Sequence, residues 1–160
     1  MNVTQSDLEK VVQGLLRVHG SKIISVALFG NAARGEEDER SDMNFIVVVR
    51  ELPSSLERRY LLYEPIYEAL NKGAEDIRDI TILDVDESDI FNDKLEVGPL
   101  LMNIAWDAKI IYDPEGKLLK FVNTVKRLVE AAGLDRYKTN ESKYGWKPKA
   151  GGLRSAVLLL

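Results

Sequence analysis

The hydrophobic positions of the chain follow two patterns. Two short runs, Ile23–Phe29 and Phe45–Val49, are rich in β-branched residues and predict buried strands. With their flanks they extend over Lys22–Phe29 and Met43–Arg50. The second is almost uniformly apolar beyond Asn44, so both of its faces should be covered. Before them, Leu8, Val11, Val12, Leu15 and Leu16 recur at helical spacing. Thr4 or Ser6 can cap that helix, Glu9 lies three residues beyond Ser6 as in a capping box, and Gly20 ends it. After the strands, Leu56, Tyr60, Tyr63, Ile66, Tyr67 and Leu70 predict a helix over Leu56–Asn71, started near Pro53 and closed by Gly73. Pro65 should kink or divide it. Ile77–Val85 predicts a third strand. Leu95–Trp106 is apolar at helical spacing, with Gly98 and Pro99 interrupting its start. Lys109–Tyr112 predicts a short edge strand, followed by a turn at Asp113–Gly116 and an amphipathic helix over Leu118–Leu134 with Gly133 as its C-cap.

The last stretch breaks this rhythm. Residues 135–160 carry Arg136, Lys138, Lys143, Lys147, Lys149 and Arg154 against Asp135 and Glu141, with Tyr137, Tyr144 and Trp146 interleaved. Gly145, Pro148, Gly151 and Gly152 argue against regular structure there. A basic tail with aromatics can bind nucleic acid, or dock on its own acidic domain or on a partner subunit; nucleic acid is not the favoured reading. The expected organisation is one domain over 1–134 and a basic tail over 135–160.

Composition narrows the classes. A chain of 160 residues can bury a real core, and 45% hydrophobic with 30% charged residues fits a globular protein. The formal net charge of −4 gives no general bias toward nucleic acid. With no cysteine, disulfides, thiol catalysis and thiolate-bound metals are excluded. His19 is the single histidine, at the end of the first helix, where a surface or helix-dipole role is expected. No apolar run approaches the ~20 residues of a membrane span, so no membrane partner is expected and the cytoplasm is the default location.

Candidate chemistry concentrates between the first two strands. Gly30 leaves the first strand and lets the backbone approach a ligand closely. If Asn31 caps one helical turn, the free N–H groups there suit a phosphate, and Arg34 adds a forked cation. Asp42, Asn44 and Ile46 share one face by strand alternation, and two oxygen-bearing side chains beside a phosphate site suggest a hard-cation site. The intervening Glu36–Arg40 reads as a solvated loop.

The stretch resembles the signature of the DNA polymerase β-type nucleotidyltransferase superfamily, in its minimal (MNT-like) group. That signature runs Gly-Ser-x-Ala-Arg-Gly, five residues, then Ser-Asp-x-Asp-hydrophobic. Gly30, Ala33, Arg34, Gly35, Ser41 and Asp42 match without a gap. Asn31 stands in place of the family's serine, and Asn44 in place of its second aspartate. The resemblance covers Ile23 to about Asp86. It implies an α/β (α+β) nucleotidyltransferase fold: a central mixed sheet flanked by helices, here followed by a C-terminal helix and the basic tail. It implies transfer of a nucleoside monophosphate from an NTP, with ATP expected, to an unknown acceptor. Mg²⁺ or Mn²⁺ is the implied cofactor, held by Asp42, Asn44 and Asp79, with Asp42 and Asp79 catalytic and Gly30, Asn31 and Arg34 on the nucleotide. Asp79 is the preferred third acid because it falls inside the expected strand. Asp84 and Asp86 are read as ordinary acids near the strand end, and a salt bridge from Asp79 to Arg34 or Arg78 is the structural alternative. Without the Asn44 carboxylate, metal binding and catalysis should be weak unless Glu36 or Glu37 replaces it. The alternative is a catalytically inactive nucleotide- or partner-binding protein, antitoxin-like, with a HEPN-type partner; a homo-oligomer is also open.

Overall fold

The structure is a computed structural model that describes residues 3–35, 42–53, 56–71, 79–139, 143–149 and 158–159. Helix α1 (Gln5–His19) opens on Thr4, whose side chain accepts from Asp7 N at 3.1 Å while Thr4 N donates to Asp7 Oδ2 at 2.9 Å. The capping box is therefore Thr4–Asp7 rather than Ser6–Glu9. Strand β1 (Ile23–Phe29) and strand β2 (Met43–Val49) pair antiparallel. Between them lies a single helical turn, α2 (Asn31–Arg34).

Helix α3 (Leu56–Leu70) runs unbroken through Pro65. The proline is buried against α1, and a Cβ on Gly14 would lie 3.3 Å from Pro65 O and 3.4 Å from its Cβ. Gly14 thus gives room for the ring, and packing offsets the lost helical hydrogen bond. Strand β3 (Ile80–Asp86) then pairs parallel with β2, Met43 facing Ile80 and Asn44 facing Thr81. The turn α4 (Glu87–Ile90) and the two-residue strand β4 (Glu96–Val97) lead to α5 (Pro99–Asp107). The apolar stretch from Leu95 is thus split at Gly98, the α5 N-cap, with Pro99 in its first turn. Strand β5 (Lys109–Tyr112) adds antiparallel to β1 at the sheet edge, giving the order β3-β2-β1-β5. Helix α6 (Lys117–Ala131) follows, its first turn held by Asp113, whose carboxylate accepts from Leu118 N and Leu119 N.

The mixed sheet separates two apolar layers. On one side Leu8, Val11 and Leu15 of α1 and Leu62 and Ile66 of α3 pack on Val26, Leu28, Phe45 and Val47. On the other, Met102 and Ile104 of α5 and Phe121, Val122 and Val125 of α6 pack on Ile24, Ala27, Ile46 and Val48. Both faces of β2 are covered, as its uninterrupted apolar sequence requires.

The tail departs from expectation. Leu134–Lys138 forms β6 and Tyr144–Pro148 forms β7, paired antiparallel as a hairpin. Gly145 is not a breaker here. A Cβ on it would stand 2.6 Å from the Tyr137 ring, so glycine is what lets that tyrosine cross the neighbouring strand. Trp146 and Leu134 join the α5–α6 core layer, which anchors the hairpin. A last short strand, β8 (Leu158–Leu159), pairs with β4. Among the described residues, no helix is long and apolar enough to cross a membrane.

Candidate functional site

The site begins where β1 ends. Gly30 has φ 80 and ψ −155, a conformation closed to most side chains, and it caps α2. Arg34 N donates to Gly30 O at 3.2 Å, closing the turn, and Gly35 at φ 72 ends it. Across the hairpin Asn44 faces Phe29, and its side chain lies against Gly30: a Cβ there would be 2.6 Å from Asn44 Nδ2. Glycine is therefore demanded by the backbone, and its lack of a side chain leaves room for the Asn44 amide.

Asp42 precedes β2 and is exposed. Asp79 precedes β3 and is also exposed, and Met43 N donates to Asp79 O at 2.8 Å. This corrects the expected strand Ile77–Val85: β3 starts at Ile80, so Asp79 lies just ahead of the strand and carries no desolvation cost from a strand interior. Ile77, Arg78, Glu36–Arg40 and Ser41 lie outside the described residues. Strand register places the two acids just ahead of neighbouring strand starts, Met43 facing Ile80. Asn44, Ile46 and Val48 alternate toward the α5–α6 layer, Thr81 faces Asn44, and Leu83 packs in the same layer. Continued one step outward, that alternation puts Asp42 and Asp79 on the same face at neighbouring strand starts. Among the described residues no group of three or more His, Cys, Asp or Glu side chains is assembled that could hold a metal ion. The Asp42–Asn44–Asp79 set offers two carboxylates and one neutral amide, all oxygen donors of the kind a hard cation takes, with one negative charge fewer than three acids would give.

Asp84 and Asp86 are structural. Asp86 caps α4 through Ser88 N at 2.9 Å. Asp84 accepts from Arg58 Nε at 2.7 Å and Arg59 Nε at 2.9 Å. Burial pushes the Asp84 carboxyl up, but the hydrogen bonds from Arg58 and Arg59 outweigh it and hold it below the usual carboxylate range. His19 Nε2 sits 2.9 Å from Leu61 O, tying α1 to α3.

Arg34 is not an outstretched cation. Its Nη1 donates to Asp107 Oδ2 at 2.6 Å, its Nη2 donates to Asn31 Oδ1, and its guanidinium lies over the Tyr144 ring at 4.5 Å. Asp107, at the end of α5, is shared with Arg136 of β6. Trp146 Nε1 donates to Asn103 Oδ1 at 2.9 Å, and Asn103 Nδ2 to Tyr144 O at 3.2 Å, which docks the hairpin on α5. Asp107, Arg136 and Tyr144 are thus site neighbours that sequence reasoning did not single out. The signal was the basic–aromatic tail, for which docking on its own acidic domain was one open reading.

Fold and turn define the class: the chain has a nucleotidyltransferase fold. Its relatives agree. Over 124 residues the chain is 27% identical to protein adenylyltransferase MJ1305 of Methanocaldococcus jannaschii, a provisional name, with 77% of this chain and 81% of the relative covered. A chain of a toxin–antitoxin complex solved with AMP-PNP superimposes with a TM-score of 0.53 at 16% identity, over 78% of this chain and 87% of that one. Spectinomycin adenyltransferase AAD(9) from Enterococcus faecialis, solved with ATP and spectinomycin, gives 0.51 at 15% identity, over 80% and 68%. A chain from the complex of tri-AMPylated Shewanella oneidensis HEPN toxin with MNT antitoxin gives 0.50 at 15% identity, over 80% and 88%. No family model matches the chain.

Proposed function

We propose that this protein binds a nucleoside triphosphate, ATP, with a divalent cation at the Gly30 turn, and transfers its nucleoside monophosphate slowly to an acceptor. The observation that carries the reading is the contact of Gly30, at φ 80, with the Asn44 side chain, on a strand whose neighbour in the sheet starts just after Asp79 as it starts just after Asp42. Backbone N–H groups of the turn, the Asn31 amide and the Arg34 guanidinium hold the β- and γ-phosphates. Asp42 and Asp79, with the Asn44 amide oxygen, hold Mg²⁺ or Mn²⁺. When bound, the cation supplies Lewis-acid stabilisation of charge at the reacting phosphate. The acceptor oxygen bonds to the α-phosphorus as the bond to the β-phosphate oxygen breaks, releasing pyrophosphate. The cytoplasm, where ATP is held, is the expected location.

A second reading is favoured by one residue. Asn44 removes a carboxylate from the cation set, so the protein can instead hold a nucleotide or a protein partner without turnover. The solved toxin–antitoxin complexes of the same fold support a helical HEPN-type partner for that case. Incubation with α-³²P-ATP and Mn²⁺, with candidate proteins added, separates the two. Label transfer that is lost in Asp42→Asn supports the enzyme. Nucleotide binding without transfer, alongside capture of a HEPN-type protein, supports the binding reading.

A further inference from the structure

Asp107 is nearly fully buried, its side chain 4% exposed, yet two arginines reach it unequally. Arg136 takes both oxygens, Nη1 to Oδ1 at 2.7 Å and Nη2 to Oδ2 at 2.8 Å. Arg34 takes Oδ2 alone. A buried carboxylate stripped of its counter-ion is strongly destabilising, so one of the two must stay. The bidentate fork of Arg136 is the firmer hold. Its Nε is buried without a hydrogen-bond partner among the described residues, so the pair with Asp107 fixes its pose rather than a full set of bonds of its own. The Tyr144 ring lies against both guanidiniums, at 4.5 Å for Arg34 and 3.9 Å for Arg136. It gives Arg34 a cation–π contact besides its ion pair with Asp107.

We propose that Arg136, from the C-terminal hairpin, is the standing counter-ion of Asp107, which lets Arg34 exchange that carboxylate for the polyphosphate of a nucleotide. The inference rests on the assignment of Gly30, Asn31 and Arg34 to the phosphates. Arg136 is a positioning residue: it acts on the nucleotide through Asp107 and Arg34. The hairpin is then a working part of the site.

The test is calorimetric titration of the full chain with AMP-PNP and Mg²⁺, and separately with inorganic tripolyphosphate. In Arg136→Met the buried carboxylate holds Arg34 back, and the Kd for AMP-PNP is expected to rise about tenfold. Adding Asp107→Asn to that variant removes the hold, and Kd should return to within about threefold of wild type, a non-additive recovery. A merely structural Arg136 lowers Tm in both variants and gives either no change in Kd or a loss without recovery; either result overturns the inference. If Arg136→Met does not fold, Asp107→Asn alone decides. Arg34 then loses its ion pair with Asp107, and tripolyphosphate should bind about threefold tighter or more, whereas unchanged or weaker binding overturns the proposal. Failure of wild type to bind either ligand removes the proposed function and this inference together. Wild-type binding that these variants leave unchanged removes the inference alone.

Discussion

Two clusters in this molecule have the same composition: one buried aspartate shared by two arginines. On β3, Asp84 is held by Arg58, which is as buried as the acid, and by Arg59, which is half exposed. On α5, Asp107 is held by Arg34 and Arg136, both largely buried. Their surroundings differ. Arg58 and Arg59 are neighbours on one helix, so the Asp84 cluster fastens α3 to β3 and, among the described residues, ties in no other element. Arg34 and Arg136 come from opposite ends of the chain, one from the glycine turn and one from the hairpin. On the reading proposed above, a shared carboxylate is structural or functional according to what its cations are attached to, and not according to the residue types.

The sharpest way to break the comparison is to remove each acid. Asp84→Ala strands the Arg58 charge in the core, and a loss of about 3 kcal/mol is expected, read by denaturant unfolding, with no change in AMP-PNP affinity. The folded pKa of Asp84 lies below its unfolded one. Its contribution is therefore full above the usual carboxylate value of about 4 and fades as pH falls through the folded value. Asp84→Asn should remove that acid-side dependence from the stability profile. A nucleotide effect at Asp84 would erase the distinction between the clusters.

Gly30→Ala comes next. It forces an alanine to φ 80 and drives a methyl to 2.6 Å from the Asn44 amide. A cost of about 2 kcal/mol is expected, with loss of nucleotide binding on calorimetry. Asn44→Asp restores the missing carboxylate, and Mn²⁺-dependent label transfer should rise by about tenfold, or 1.4 kcal/mol. No gain at saturating Mn²⁺ would leave only the binding reading. The smallest effect is at Tyr144. Tyr144→Leu removes the aromatic face from two guanidiniums and should lower stability by about 1 kcal/mol, while Tyr144→Phe keeps the face and should stay near wild type in thermal unfolding.

Much of this was legible in the sequence. The β-branched runs Ile23–Phe29 and Phe45–Val49 become adjacent strands, and the turn between them takes up its φ at Gly30. Local rules failed where a distant partner decided the outcome. Pro65 stays in a helix because Gly14, on another element, makes room. Gly145 sits in a strand because Tyr137 crosses it. Asp79 reads as an in-strand acid because it falls between Ile77 and Ile80, yet β3 itself starts only at Ile80. The Asp107–Arg136 pair joins two distant elements, and no spacing along the chain announces it.

The central claim is that the Gly30 turn and the acids beside it form one metal–nucleotide site. Titrating Mn²⁺ and Mg²⁺ calorimetrically into the full chain, with and without AMP-PNP, tests it most directly. Metal binding that strengthens in the presence of the nucleotide is the expected result. Nucleotide and metal that bind independently, or neither binding at all, would contradict it.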